Sequence, residues 1–246
     1  MRILSSLGIC FALLLIPATF VRAENSLPWV ETYNGLLGKY VTADGVRYAA
    51  WKANSADMKA IQEVVDGIGS QKVDGLSKQE QLAFYLNAYN AWILHEALGK
   101  YPTKSVKDVL FRFFLGQRIK VAGEPMSFNH LEKEIIRPKF GEPRVHFALN
   151  CASQSCPPLN PEAFRAEKLD AQLEKLAVAF VNSRKGVDYS LEKKSVALSA
   201  IFKWYKDDFD HAGGVLAFIN KRRHEPLPND AQIGYQDYDW SLNVAK

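Results

Sequence analysis

The strongest pattern of apolar positions lies between Ser77 and Leu98. Apolar residues fall on almost every side of a helix there, which is typical of a buried helix rather than a half-exposed one. Ser77 and Glu80 have the spacing of a capping box, in which each side chain accepts a hydrogen bond from the other residue's backbone N–H. Gly99 marks the far end. The pattern therefore predicts a central buried helix at about 77–98.

Weaker patterns predict the remaining elements. Helices are expected at 27–41 (opened by Pro28), 55–68, 127–137 (stopped by Pro138), from 160 to about 180, and at 211–222. Strands are expected in a small hairpin at 41–51 around Asp44-Gly45, and at 118–121, 144–149, 187–205 (with a turn at Lys193-Lys194) and 235–242. This irregular order favours an α+β fold over a doubly wound sheet. We expect one compact domain over 24–246, with the buried helix packed against a small mixed or antiparallel sheet.

The first 23 residues have the pattern of a secretory signal peptide. Arg2 supplies the positive start, 3–15 supply the apolar stretch, and Pro17 precedes a cleavage site after Ala23. The apolar run is shorter than the roughly 20 residues that span a bilayer, so a retained anchor is not favoured. The sequence predicts a periplasmic or secreted protein with no membrane span after cleavage.

Composition and charge narrow the function classes. The chain has 246 residues, of which 48% are hydrophobic and 24% charged, so extended disorder is excluded. Loss of Arg2 and Arg22 with the signal lowers the net charge from +4 to +2, which does not indicate a nucleic-acid partner. The common hydrolase, zinc-protease and nucleotide-binding signatures are absent from the sequence, and no cofactor is expected.

The most unusual segment is HFALNCASQSCPP, from His146 to Pro158. Cys10 leaves with the signal, so Cys151 and Cys156 remain, and an even pair in an oxidising compartment favours a disulfide. A reactive thiolate with His146 as base is the alternative. The spacing matches no usual zinc template, so no metal site is predicted. Asn150 lies in the same polar loop and is a candidate binding residue.

Other polar positions are weaker candidates. Asn87 and Asn90 lie one turn apart in the predicted central helix, and a buried unpaired amide costs about 1–3 kcal/mol. We favour their bridging nearby backbone, and the alternative is that they orient a ligand or a catalytic histidine. Glu132 belongs to a helix whose charges are normally solvated. Trp204 and Asp208 belong to an aromatic and acidic cluster that either seals the core or lines a ligand cleft.

Five segments together resemble one family. They are YLNAYNAW (85–92), HLEKEIIRP (130–138), VHFALNCASQSCPPL (145–159), IFKWYKDDF (201–209) and YDWSLN (238–243). In this order and spacing they are similar to the family known as domain of unknown function 547. The resemblance implies an exported bacterial protein but no established chemistry. By analogy with its motifs, it directs attention to Asn87, Asn90, Glu132, His146, Cys151, Cys156 and Asp208.

Two hypotheses of function follow. The favoured one is a periplasmic binding or accessory module, in which a Cys151–Cys156 disulfide staples a loop beside a polar cleft for a small molecule, a peptide or an envelope protein. The alternative is a thiol-dependent envelope enzyme of the peptidase, amidase or acyl-transferase type. It would use Cys156 or Cys151 as nucleophile and His146 as base, with Asn87 or Glu132 as the orienting residue. Both hypotheses depend on the redox state of the two cysteines.

Overall fold

The structure is a computed structural model that describes residues 27–107, 116, 118–190, 192, 195–228 and 230–246. The predicted signal peptide at 1–23 and the predicted turn at Lys193-Lys194 lie outside the described residues. Within the described part of the chain, no helix is long and apolar enough to cross a membrane.

Four helices and a hairpin form the N-terminal part. They are α1 (Pro28–Tyr40), the hairpin β1 (Val41–Thr42) and β2 (Gly45–Val46), α2 (Tyr48–Ala53), α3 (Ser55–Ser70) and α4 (Lys78–Lys100). The predictions of α1, α3 and the hairpin are confirmed, although the residues after the hairpin form α2. The predicted capping box is present, because Ser77 Oγ accepts from the backbone of Glu80 and Glu80 Oε2 accepts from the backbone of Ser77. Gly99 lies inside the last turn of α4 rather than after it.

The middle of the chain holds a second hairpin and two further helices. They are β3 (Ile119–Val121), β4 (Glu124–Met126), α5 (Phe128–His130, Leu131–Ile136 and Arg137–Phe140 in succession) and α6 (Leu169–Val181). The middle segment of α5 is a π-helix, in which the Arg137 N–H bonds to the Glu132 carbonyl five residues back. Pro138 has no N–H and its ring would clash with a carbonyl four residues back, so the wider turn lets the helix pass it. The prediction that Pro138 stops this helix was therefore wrong.

The C-terminal part combines a sheet with short helices. Its elements are β5 (Val187–Ser190), β6 (Ser195–Leu198), α7 (Ala200–Trp204), α8 (Lys206–Asp210), α9 (Val215–Asn220) and β7 (Gln232–Tyr235). In the sheet, β6 pairs antiparallel with β5 and parallel with β7. The α+β class is confirmed. The main partners of α4 are helices, and Trp92 of α4 joins it to β3 by a hydrogen bond to the Lys120 carbonyl.

Five further predicted elements were wrong in type or extent. The predicted strand at 144–149 is a 3-10 turn, Pro143–Phe147, because Pro143 fixes its start and the Glu142 side chain accepts from the Arg144 N–H. The predicted helix from 160 begins only at Leu169, after a short 3-10 turn.

At the C-terminal end, the predicted strands at 187–205 end at Leu198, where Ser199 caps α7. The helix expected at 211–222 is only Val215–Asn220, because Gly213 and Gly214 take positive φ before it. Of the strand expected at 235–242, only Tyr235 lies in β7, while Ser241 and Leu242 form isolated bridges to the Ser105 and Ser153 backbones.

Two groups of buried side chains form the core. The first surrounds α4 and includes residues of α1, α3 and α5, such as Leu37, Ile61 and Leu131. The second lies between α6, the three-stranded sheet and α7 to α9, with Phe147 among its aromatic members. The 3-10 turn runs between the two, since Val145 belongs to the first core and Phe147 to the second.

Candidate functional site

A cavity of about 780 Å³ opens where the two cores meet. It is lined by residues of α4, α5, the 3-10 turn, α7, the segment 238–240 and the loop that holds Cys151 and Cys156, here called the cysteine loop. Most of the lining is aromatic or aliphatic: Tyr89, Val106, Leu149, Pro157, Ile201, Trp204, Tyr205, Tyr238 and Trp240. The remaining lining residues are Lys107, Asn129, Glu132, Lys133, His146, Cys151 and Cys156. Five residues predicted from the sequence therefore come together here, namely Glu132, His146, Cys151, Cys156 and Trp204.

His146 is held by an ion network behind the cavity wall. Its Nε2 lies 2.7 Å from Asp208 Oδ2, and Arg137 binds both oxygens of the same carboxylate at 2.7 and 3.0 Å. An ionised carboxylate only accepts hydrogen bonds, so the proton of the His146–Asp208 bond is carried by Nε2. The hydrogen bonds from His146 and from Arg137 hold the pKa of Asp208 well below its usual range. Asp208 thus fixes the His146 ring but does not itself line the cavity.

Tyr205 links this network to Glu132. Its ring stacks on the His146 ring, with the centroids 3.8 Å apart, and its hydroxyl donates to Glu132 Oε1 at 2.6 Å. Burial and the Glu132 carboxylate both raise the pKa of Tyr205. Because Glu132 lies in the π-helical segment, the orientation of its side chain depends on the widened turn that accommodates Pro138. π-Helical segments are often found at functional sites.

The two cysteines form part of the wall as a pair at disulfide distance. The Cys151 N–H donates to Cys156 Sγ at 3.0 Å. Tyr238 reaches the pair from the C-terminal segment: its hydroxyl donates to Cys156 Sγ at 3.2 Å and accepts from Ser153 Oγ at 3.0 Å. Between the cysteines, Ala152 takes φ +63°, a left-handed conformation that is unfavourable for a residue with a Cβ. The loop is therefore held in shape by its surroundings.

Buried amides supply much of that support. Asn150 Oδ1 accepts from the Ala152 N–H at 2.8 Å, and its Nδ2 donates to the Pro157 carbonyl at 2.7 Å. Asn90 of α4 accepts from the Asn150 N–H at 2.9 Å and donates to the Ala148 carbonyl at 2.8 Å. These two amides bind the backbone of the loop from behind and are not in the cavity lining.

Asn87 bridges backbone elsewhere. It donates to the Phe164 carbonyl and accepts from the Phe164 N–H, both at 2.8 Å. The segment before α6 is therefore bound to the central helix through its backbone and does not form the predicted helix there. The structure places Asn87 away from the cavity, and a ligand-binding role for Asn87, Asn90 or Asn150 stays a prediction.

Three aromatic rings form the outer wall. Tyr238 lies between Trp204 and Trp240, with centroid distances of 4.7 and 4.6 Å, and the two tryptophans are 5.9 Å apart. Trp204 is 48% exposed, which is unusual for a large aromatic side chain. Lys107 places its Nζ 5.2 Å from the Trp240 centroid. This wall is therefore accessible from solvent and already holds one cation on its surface.

Arg137, Tyr205 and Tyr238 are parts of the site that sequence reasoning did not select. Each acts on a predicted residue: Arg137 on Asp208, Tyr205 on His146 and Tyr238 on the cysteines. Their only signal was membership of the aromatic and charged segments HLEKEIIRP, IFKWYKDDF and YDWSLN. Among the described residues, no group of three or more His, Cys, Asp or Glu side chains could hold a metal ion.

The Asp208 network predicts a stability difference that depends on pH. A carboxylate whose pKa is lower in the folded state stabilises the fold above its unfolded pKa, about 3.9, and this contribution is lost as pH falls through the folded value. We expect the free energy of unfolding to fall as pH is lowered from about 5 to 2, and Asp208→Asn to flatten that part of the curve. Urea denaturation at several pH values measures both.

The exposed neighbour Asp207 is the matched control. Asp207→Asn should leave the fall in unfolding free energy between about pH 5 and 2 unchanged. Equal slopes for wild type and Asp208→Asn would show that the network contributes nothing to acid unfolding.

Comparison with known families gives one match. Residues 73–181 match the family described as "Protein of unknown function, DUF547". The chain contains a DUF547 domain. Neither the curated proteins nor the solved structures contain a match to this chain.

The site extends beyond the matched DUF547 residues. Glu132, His146 and both cysteines lie within 73–181, whereas the ring and carboxylate that position His146, from Tyr205 and Asp208, lie after it. The same holds for the aromatic wall around Tyr238. The DUF547 segment thus supplies one side of the cavity, and the following residues supply the other.

Proposed function

We propose that this protein is an exported binding or accessory module that takes a small, largely apolar organic molecule into the cavity beside the Cys151–Cys156 pair. The observation that carries the proposal is the cavity of about 780 Å³, whose mainly aromatic and aliphatic lining surrounds a few fixed polar groups. Pockets of roughly 300–1,000 Å³ with this composition are typical of small-molecule sites. The signal-peptide pattern at 1–23 supports export.

Two features favour binding over the thiol-enzyme hypothesis. The sulfurs are paired with each other, and their hydrogen-bond partners among the described side chains are the Ser153 and Tyr238 hydroxyls rather than an imidazole. A nucleophilic cysteine needs a thiolate and a base within reach. The disulfide instead supports a rigid wall of the cavity.

The first test removes part of the aromatic wall. We expect Trp204→Ala to weaken binding of phenethyl alcohol, followed by ligand-observed NMR, by about tenfold, because a ring that stacks on the ligand and shields it from water is lost. The exposed Trp204 side chain makes this change without opening a buried core.

Tyr235→Ala is the matched control, since Tyr235 is 42% exposed but does not line the cavity. Equal affinity of wild type and Trp204→Ala, or no binding of the probe to either, would contradict the proposal. Alkylation of one cysteine below about pH 8 without reductant would favour the thiol enzyme instead.

A further inference from the structure

Glu132 is a buried carboxylate that forms no direct ion pair with another described residue. The residue is 9% exposed and lines the cavity, and its Oε1 accepts from the Tyr205 hydroxyl at 2.6 Å. Within the described part of the chain, no Lys or Arg nitrogen lies within 4.0 Å of this carboxylate. Buried carboxylates are normally paired, because removing the charge from water is costly. Arg137 interacts electrostatically with Glu132, but its guanidinium binds both oxygens of Asp208. Glu132 is therefore left without a direct ion-pair partner among the described residues.

Aromatic rings surround the same carboxylate. Tyr89 is buried, and Tyr205 and Tyr238 are half-buried. Loss of water around each hydroxyl raises its pKa most, and the Glu132 charge raises it further. The negative field of Glu132 therefore reaches three ring positions of the cavity. The faces of aromatic rings also attract cations through their quadrupoles. Both contributions favour a positive group in this space.

The basic residues of the lining do not fill that role. Lys107 and Lys133 are exposed, so their ammonium groups stay hydrated at the rim, and Lys107 lies over Trp240 rather than beside Glu132. Charges that face water are screened, whereas an interaction with a buried carboxylate is screened much less. The Lys107–Trp240 contact also shows that the aromatic wall accepts an alkylammonium group.

We propose that the ligand of this cavity carries an alkylammonium group, which binds between the Glu132 carboxylate and the surrounding tyrosine and tryptophan rings, with an apolar or aromatic body along the rest of the wall. This inference rests on the proposed function and names the chemical class of its ligand. Glu132 is then a specificity-determining residue, and Tyr205 is a positioning residue that fixes the carboxylate.

Three probes of similar size and different charge test it: phenethylammonium, phenethyl alcohol and phenylacetate. On the unaltered protein at neutral pH, phenethylammonium should bind about tenfold or more tightly than the alcohol, and phenylacetate more weakly than both. Equal affinity for ammonium and alcohol, or a preference for phenylacetate, would overturn the inference while leaving the proposed function intact. Binding of none of the three would overturn both.

Glu132→Gln assigns the preference to one residue. It keeps the shape and a hydrogen-bond acceptor for Tyr205, so we expect the affinity for phenethyl alcohol to stay within about twofold and the preference for phenethylammonium to disappear. Glu134→Gln is the control, because Glu134 is exposed on the same π-helical segment and does not line the cavity. If Glu132→Gln still prefers phenethylammonium over phenethyl alcohol, the assignment of this preference to Glu132 is overturned. The three probes on the wild-type protein decide the ligand class even if the variant folds poorly.

Discussion

Phe147→Ala is expected to cost about 3–5 kcal/mol of unfolding free energy, the largest loss among the substitutions considered. The ring is 1% exposed, and its centroid lies 5.2 to 6.0 Å from those of Phe180, Phe202, Phe209 and Phe218. Removing it leaves a cavity among four rings that are themselves held by different helices, so they cannot all move in to fill it. Urea denaturation measures the change, and the melting temperature should fall on the order of 10 °C.

Phe147→Leu is the matched control for this substitution. It retains much of the apolar volume, so the loss should be clearly smaller than for alanine. A loss below about 1 kcal/mol for Phe147→Ala would contradict the packing, because a well-filled core does not tolerate removal of a whole ring. The adjacent His146 faces the cavity, so the variant also tests whether the second core supports the site.

Asn150→Ala is expected to cost about 2–4 kcal/mol, since each buried polar group left without a partner costs about 1–3 kcal/mol. The side chain satisfies the Ala152 N–H and the Pro157 carbonyl, and it accepts a longer bond of 3.3 Å from Asn243. Alanine cannot replace these bonds, and the apolar surroundings exclude water from most of them. Chemical denaturation of oxidised protein gives the value.

The loop should also lose its shape in this variant. Ala152 needs support for its positive φ, so we expect the cysteine pair to become more reducible by dithiothreitol than in wild type. Asn129→Ala, which removes a half-exposed amide from the cavity lining, should change stability by no more than about 0.5 kcal/mol. Wild-type stability for Asn150→Ala would mean that the loop does not depend on this amide.

Elements with local signals were predicted well. The central helix could be recognised because its capping box and its apolar residues are properties of neighbouring positions, and these suffice to define Lys78–Lys100 within two residues. The hairpin at 41–46 depends equally on a local turn at Asp44-Gly45. Both elements would be expected from any sequence with the same nearby residues.

Elements that depend on distant contacts were not predicted. In the segment RVHFAL, the alternation of Val145, His146 and Phe147 resembles that of a strand. In the structure these residues lie in a 3-10 turn, where Val145 packs in the first core, Phe147 packs in the second and His146 lines the cavity. The π-helical turn carrying Glu132 is likewise invisible as a hydrophobic pattern. The candidate residues could be named individually, whereas their convergence required Asp208 and Tyr238, which come from far along the chain.

Because the cavity lies between two cores, a ligand of the proposed kind would link its binding to the cooperativity of unfolding. Leu149 on its wall belongs to the first core and Ile201 to the second, so an occupant contacts both. A molecule that binds only when both cores are formed does not stabilise either core by itself. Its binding free energy adds to the free energy that couples the folding of one core to that of the other. A protein saturated with such a ligand would therefore unfold more cooperatively than the empty protein.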